Sequence, residues 1–282
     1  MKMPEWLIRR VLFLTAFSSL AILALIALFI LKEGFPVLTS VGPGRFLLGK
    51  TWLPGNNLYG ILPFIIGSLW VTAGALAIGV PLGLACAICL VEFVPRTVSR
   101  FLKPTIELLA GIPSVVYGFI GVVILTPWIR STFGGPGFSL LAGALVLGVM
   151  ILPTIISISM DAFQALPPSY REGSIALGAT RWQTVHLVLL PGARSGILAA
   201  VILGMGRAVG ETMAVIMVAG NAVKMPRTIL DPARTLTSNI ALEMSYAMGM
   251  HRHALFATAV VLLFFVLVLN VIAGFLIRRA ND

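Results

Sequence analysis

Two charged residues stand inside an otherwise apolar stretch, "GMGRAVGETMA": Arg207 and Glu211. An ionised side chain at the centre of a bilayer costs about 3 kcal/mol even on lenient scales, so such residues face a bundle interior. Four apart on a continuous helix, the two share a face and can pair. The forked donors of arginine suit an oxyanion. One reading is therefore that Arg207 attracts a transported anion, while Glu211 holds the arginine or releases it as a gate changes state. The other is a self-neutralising structural pair between packed helices.

In "GIPSVVYG", Pro113 is expected to kink an apolar helix and free backbone groups, which are tolerated only beside a cavity or protein. Ser114 and Tyr117 offer donors there, either to a passing anion or to the freed carbonyls. Glu107, at the start of the same apolar run, is favourable near a helix N-terminus on dipole grounds alone. "EMSYAMGMHRH", Glu243 to His253, holds residue types that bind soft metals, but His251 and His253 are two apart and oppose each other on a helix. No metal site, catalytic triad, H-E-x-x-H or G-x-S-x-G is expected.

"GRFLLGKT", Gly44 to Thr51, matches the phosphate-gripping pattern G-x-x-x-x-G-K-[ST] letter for letter. That pattern needs a strand before it and a helix directly after it. Here "SVGPG" precedes it, and "TWLPGNN" follows, with Pro54 and Gly55 forbidding the helix. The match is read as accidental, and no nucleotide site or catalytic residue is assigned to this chain.

The elements that must position these residues are membrane helices. The chain is 59% hydrophobic and 11% charged, where a soluble domain carries about a quarter charged residues; its mean hydropathy is +1.02. Charge-free runs at Val11–Leu31, Thr51–Val91, Leu108–Ile129, Ser131–Met160 and Ala254–Ile277 are each long enough to cross the hydrocarbon core. Six spans are expected, near 11–31, 62–91, 105–129, 138–160, 196–220 and 254–277, in one all-α polytopic domain over 1–282. An even number puts both termini on one side. With the termini inside, the inner segments hold Lys2, Arg9, Arg10, Arg96, Arg100, Lys103, Arg171, Arg181, Arg194, Arg278 and Arg279, a modest positive-inside bias. That bias accounts for the net charge of +10 without nucleic acid, since no basic stripe with interleaved aromatics is present. Cys86 and Cys89 read as small residues packed in a helix. The G-x-x-x-G pairs Gly79/Gly83 and Gly206/Gly210 read as close helix packing.

One extended inner segment remains, "DAFQALPPSYREGSIALGATRWQTVHLVLLPGAR", Asp161–Arg194. Ser169 with Glu172 has capping-box spacing, and Thr180 with Gln183 repeats it. Gly178 stands where a helix end wants positive φ. The segment thus predicts helices near 170–177 and 181–190 joined by a Gly178-Ala179 elbow, with Trp182, Val185 and Leu189 on one face. A rigid elbow suits transmission of force to a partner; an amphipathic segment resting on the bilayer is the alternative.

Glu172, Gly178, Val188, Leu190 and Pro191 resemble the EAA loop of ABC-importer permeases, with Gly173 and Ser174 in place of two alanines and Val188 in place of isoleucine. The resemblance implies a type I permease architecture, with 162–194 as the coupling loop. It makes Tyr170, Arg171, Glu172, Ala176, Gly178, Ala179 and Thr180 the element that docks a separate ATPase, so that ATP and Mg belong to that partner. "TWLPGNNLYGILPFIIGSLWVT", "AGIPSVVYGFIG", "ALGATRWQTVHLVLLPGARSGILAAVILGMGRAVGETMAV" and "TSNIALEM" are together similar to the PstC-type permeases of phosphate importers, and less distinctly to their PstA-type sisters. The likeness covers nearly the whole chain after residue 50. It implies a bacterial or archaeal inner-membrane protein. Its implied partners are a second, PstA-type permease, two PstB-type ATPases and an extracytoplasmic PstS-type phosphate-binding protein. It also places the family's intramembrane charges at Arg207 and Glu211. Within the class, sulfate or molybdate is the rival substrate. Outside it, the rival is a proton-driven secondary transporter with Arg207–Glu211 as relay, which usually shows repeated halves and gives the capped elbow no purpose.

Overall fold

The computed structural model describes residues 5–281. Lys2, counted above among the inner charges, lies outside the described residues, as do the side chains of Arg278 and Arg279. Among the described residues the fold is helical apart from one small hairpin. The chain begins with α1 (Glu5–Ser40) and the short α2 (Pro43–Leu48), followed by β1 (Trp52–Leu53) and β2 (Leu58–Tyr59), paired antiparallel. Next come α3 (Leu62–Ile88), α4 (Arg96–Ala110), α5 (Ser114–Ile120), α6 (Thr126–Phe133) and α7 (Leu140–Gln164). The elbow is built from α8 (Pro168–Ala176), α9 (Arg181–Thr184) and α10 (Leu190–Gly192). Then follow α11 (Arg194–Gly210), α12 (Met213–Val218), α13 (Leu236–Glu243) and α14 (Gly249–Asn281).

By length and composition five helical stretches could cross a membrane, Ile8–Ser40, Leu62–Phe93, Ser114–Phe133, Leu140–Gln164 and Gly249–Ile272, and a sixth if Arg181–Gly192 and Arg194–Gly210, bent by 72°, form one span. The most enclosed is α7, and α3 lies along it through small residues. A Cβ on Gly74 would meet Ala144, one on Gly79 would meet Ile151, and one on Gly83 would meet Ile155. Close approach of this kind replaces the hydrophobic drive that lipid does not supply, so the packing reading of Gly79 and Gly83 holds. Gly206 and Gly210 differ: nothing lies within 4 Å of a Cβ built on either, so within this chain their face is open.

The helix α1 runs well past both ends of the expected 11–31. Its 36 residues rise about 54 Å, against roughly 30 Å of hydrocarbon. Its C-terminal part continues through Lys32 and Glu33 because it packs on α14, where Gly34 abuts Ala257 and Val37 is fully buried. The last helix likewise starts earlier than 254, at Gly249.

Two crossings are interrupted. α11 runs antiparallel to α7, with Gly196 against Ala162 and Gly204 against Ile151 and Ile155. α12 then carries the chain to the other end of α7, where Ser139 N donates to Val218 O at 3.1 Å. The expected continuous span 196–220 is therefore broken at Glu211-Thr212, near the middle of α7. The expected span 105–129 is also broken rather than kinked, at Gly111-Ile112-Pro113, between α4 and α5. Pro113 lacks an N–H and pushes Ile112 out of the helical region, and α5 restarts beyond it with Gly118 against Ala214 and Met217.

Past the C-terminal end of α7 the elbow forms, with two departures from expectation. α8 begins at Pro168, whose fixed φ suits a first helical position. Ser169 is thus already inside the helix, and no side chain caps it. The second device is as expected: Gln183 N donates to Thr180 Oγ1 at 3.3 Å, and Thr180 N to Gln183 Oε1 at 2.8 Å. Gly178 adopts φ +82°, and the carbonyls of Ser174 and Ile175 accept from Ala179 N and Gly178 N. Val185 and Leu189 are buried against Phe163 and Ile88, but Trp182 is exposed and stacks on His186. The chain widens into a π-helical turn over Val185–Leu189, which rotates Trp182 off the face that a 3.6-residue period assigns it.

Candidate functional site

The two broken crossings meet beside α7. When a helix stops at a proline, its last carbonyls lose their partners, and α4 ends this way. Leu109 O would have received an N–H from position 113, which proline lacks; Tyr117 donates its hydroxyl to it instead, at 2.8 Å. Ala110 O is met by Arg207 Nη2 from α11 at 3.1 Å, while Nη1 of the same guanidinium reaches Thr154 Oγ1 on α7 at 3.4 Å. Arg207, half-buried, thereby ties three helices together at the depth of both breaks. Ser114, also half-buried, opens α5 on the far side of the first break.

Glu211 does not pair with Arg207. Spacing at i, i+4 brings side chains together only along a continuous helix. α11 ends at Gly210, and Glu211 is extended, with φ −70° and ψ 131°. Its Oε1 accepts from Ala214 N at 3.0 Å, capping the start of α12, and its carbonyl accepts from Thr237 Oγ1 at 3.0 Å. Among the described residues Arg207 is in no salt bridge, and the open face of Gly206 and Gly210 borders it.

Below the breaks, α4 slants along α7 toward the inner end. Ser157 Oγ donates to Glu107 Oε1 at 3.0 Å, and Lys103 pairs with Asp161. Between α4, the end of α3, α7 and α8 lies a cleft of ≈ 790 Å³ whose charged lining is Arg96, Arg100, Lys103, Glu107, Arg171 and Glu172. Arg171 faces inward and anchors the elbow: Nε and Nη2 lie 2.9 and 2.7 Å from Glu92 Oε1, and Nη2 also donates to Phe163 O at 3.1 Å. Its neighbours are more exposed, although Glu172 also lines the cleft. Tyr170, Glu172, Ala176, Gly178 and Thr180 are exposed, and Leu177 is 90% exposed at the tip.

At the end of the bundle away from the elbow a buried polar network escaped the sequence reading. Glu243, 6% exposed, accepts from Trp52 Nε1 at 2.9 Å and from Arg234 Nη1 at 2.5 Å, with His251 Nε2 at 2.8 Å. His253 turns away to Glu33 O at 2.8 Å. The carboxylate is filled by donors from the hairpin, the α12–α13 connection and α14, so it staples these three together. The string "GRFLLGKT" lies beside it, and its geometry is inverted relative to a phosphate loop: α2 occupies the motif itself, and a strand follows.

The sequence matches the model of the binding-protein-dependent transport system inner membrane component family over residues 79–282. The chain belongs to this family of membrane permeases. It is 52% identical over 213 residues to a probable ABC transporter permease protein, YqgH, of Bacillus subtilis, covering 74% of this chain and 69% of that one. It is 34% identical over 287 residues to the phosphate transport system permease protein PstC of Mesorhizobium japonicum, covering 94% and 88%. Among solved structures it resembles a bacterial alginate ABC transporter (TM-score 0.66, 16% identity, 96% of this chain and 92% of that one). It also resembles the MetNI methionine ABC transporter in an inward-facing form (TM-score 0.64, 20% identity, 82% and 100%). These likenesses establish the multi-pass permease fold, and membership of the family replaces the reading as a proton-driven secondary transporter.

Proposed function

We infer that this chain is the membrane permease subunit of an ATP-driven importer of inorganic phosphate. The observation that carries the reading is Arg207: a fork of charged donors, in no salt bridge among the described residues, at the meeting point of two broken helices. Irregular backbone at membrane depth is stable where it is buried in protein or lines a cavity, and transporters build substrate sites at such breaks. The relatives named PstC supply the substrate class. Ser114 is a second donor at the first break, Glu211 fixes the geometry of the second, and Tyr117 holds the first by satisfying its carbonyl.

The outward-facing elbow, Tyr170 and Glu172 through Thr180, is the surface for an ATPase partner that binds ATP and Mg, with Arg171 as its anchor. The complete importer would add a second permease of PstA type, two ATPases of PstB type and an extracytoplasmic PstS-type binding protein. The elbow and both chain ends then face the cytoplasm. The experiment is uptake of labelled phosphate and labelled sulfate by cells lacking only this chain. Selective loss of phosphate uptake, restored by the chain, supports the reading. Loss of sulfate uptake with phosphate intact refutes the substrate.

A further inference from the structure

Glu107 has no role in the account so far. It lies three residues before Ala110, about 4.5 Å along α4 from the carbonyl that Arg207 holds. It points into the inward cleft, and Ser157 Oγ fixes one of its oxygens at 3.0 Å. Among the described residues it is in no salt bridge; Lys103, one turn away on the same helix, pairs with Asp161 instead. An anion leaving Arg207 for the inner side therefore meets a carboxylate before it meets the cations of the cleft.

A carboxylate on an anion path is costly unless the anion brings a donor. An ionised carboxylate only accepts hydrogen bonds. Phosphate and arsenate carry at least one hydroxyl at neutral pH and can donate to it; sulfate carries none and meets only like charge. We propose that Glu107 is a specificity residue that reads the hydroxyl of the oxyanion released from Arg207, passing hydroxyl-bearing oxyanions into the cleft and refusing fully deprotonated ones. Ser157 positions the carboxylate by occupying one oxygen and leaving the other for the anion. The proposal rests on the phosphate-permease reading and adds to it how the inward half of the path discriminates.

The test uses the complete importer in proteoliposomes, with phosphate, arsenate or sulfate trapped inside and uptake of labelled phosphate measured from outside. Wild type is expected to be slowed by lumenal phosphate and arsenate, with sulfate at least about tenfold less potent, as for a site that requires a substrate hydroxyl. E107Q, which keeps the shape and removes the charge, is expected to let sulfate inhibit about as well as phosphate; E107D should retain the discrimination. Sulfate excluded equally by wild type and E107Q overturns the proposal. So does a wild type that ignores lumenal phosphate, because the site must open to the cleft. Uptake lost in R207A at equal assembly, with E107Q unchanged in selectivity, removes Glu107 alone. Normal uptake in R207A removes the permease site and this proposal with it.

Discussion

Replacing Glu243 by glutamine should destabilise the outer end of the molecule by an amount the geometry allows one to work out. The carboxylate serves three donors, Trp52 Nε1, Arg234 Nη1 and His251 Nε2. Glutamine offers one acceptor oxygen and one amide nitrogen. If the oxygen stays on Arg234, the amide confronts the indole N–H of Trp52, donor against donor, and a buried unsatisfied donor costs about 1–3 kcal/mol. His251 can change tautomer and accept; the indole cannot. The ion pair with Arg234 weakens as well, though less than the roughly 3–5 kcal/mol of a buried pair that loses one partner outright. The sum is about 2–4 kcal/mol, or roughly 3–7 °C in the thermal midpoint of a chain this size. Thermal denaturation of the purified protein, followed by tryptophan fluorescence, reads it. In a double-mutant cycle W52F should recover about 1 kcal/mol or more of the E243Q loss. A midpoint within about 1 °C of wild type for E243Q would show that the network does not hold the hairpin to α14.

Two further outcomes follow from the elbow and the first break. Gly178 stands at φ +82°, where a branched side chain costs about 1–2 kcal/mol. G178V, or an aspartate there or at Ala176, should leave the membrane bundle intact while the ATPase no longer copurifies, and retained copurification with coupled transport would count against the docking surface. Y117F should cost about 1 kcal/mol, because Leu109 O keeps a bond from Ile112 N at 3.3 Å, and phosphate uptake should stay within about twofold of wild type. A loss far beyond that would mean Tyr117 touches the anion itself.

The crossings were legible because hydropathy alone demands them, and the first break was half legible, since Pro113 announces missing hydrogen bonds. The second break was not. "RAVGETM" contains no proline, and reading it as continuous helix turned Arg207 and Glu211 into a pair; the extended backbone at Glu211 sends the two carboxyl and guanidinium groups apart. The elbow shows the same dependence on local chemistry. Thr180 caps as its spacing says, but Pro168 starts α8 two residues too early for Ser169 to do so. Trp182 was misplaced because a π turn changes the period on which a face is read. The Glu243 network left no local trace, because Trp52 and Glu243 are separated by 191 positions and no spacing rule connects them. Glu107 looked like a dipole partner until the fold placed Ser157 on it and Arg207 a turn away.

The most direct test of the account is transport by Arg207→Ala in the complete reconstituted importer, with the amount of assembled complex measured in the same preparation. The expected result is complex at wild-type level, because the bond lost to Ala110 O costs only about 1.5–3 kcal/mol and the long one to Thr154 Oγ1 adds less, together with phosphate uptake reduced at least about a hundredfold, since among the described residues Arg207 is the charged donor bonded at the first break. Phosphate uptake at the wild-type rate, at equal complex, would contradict it.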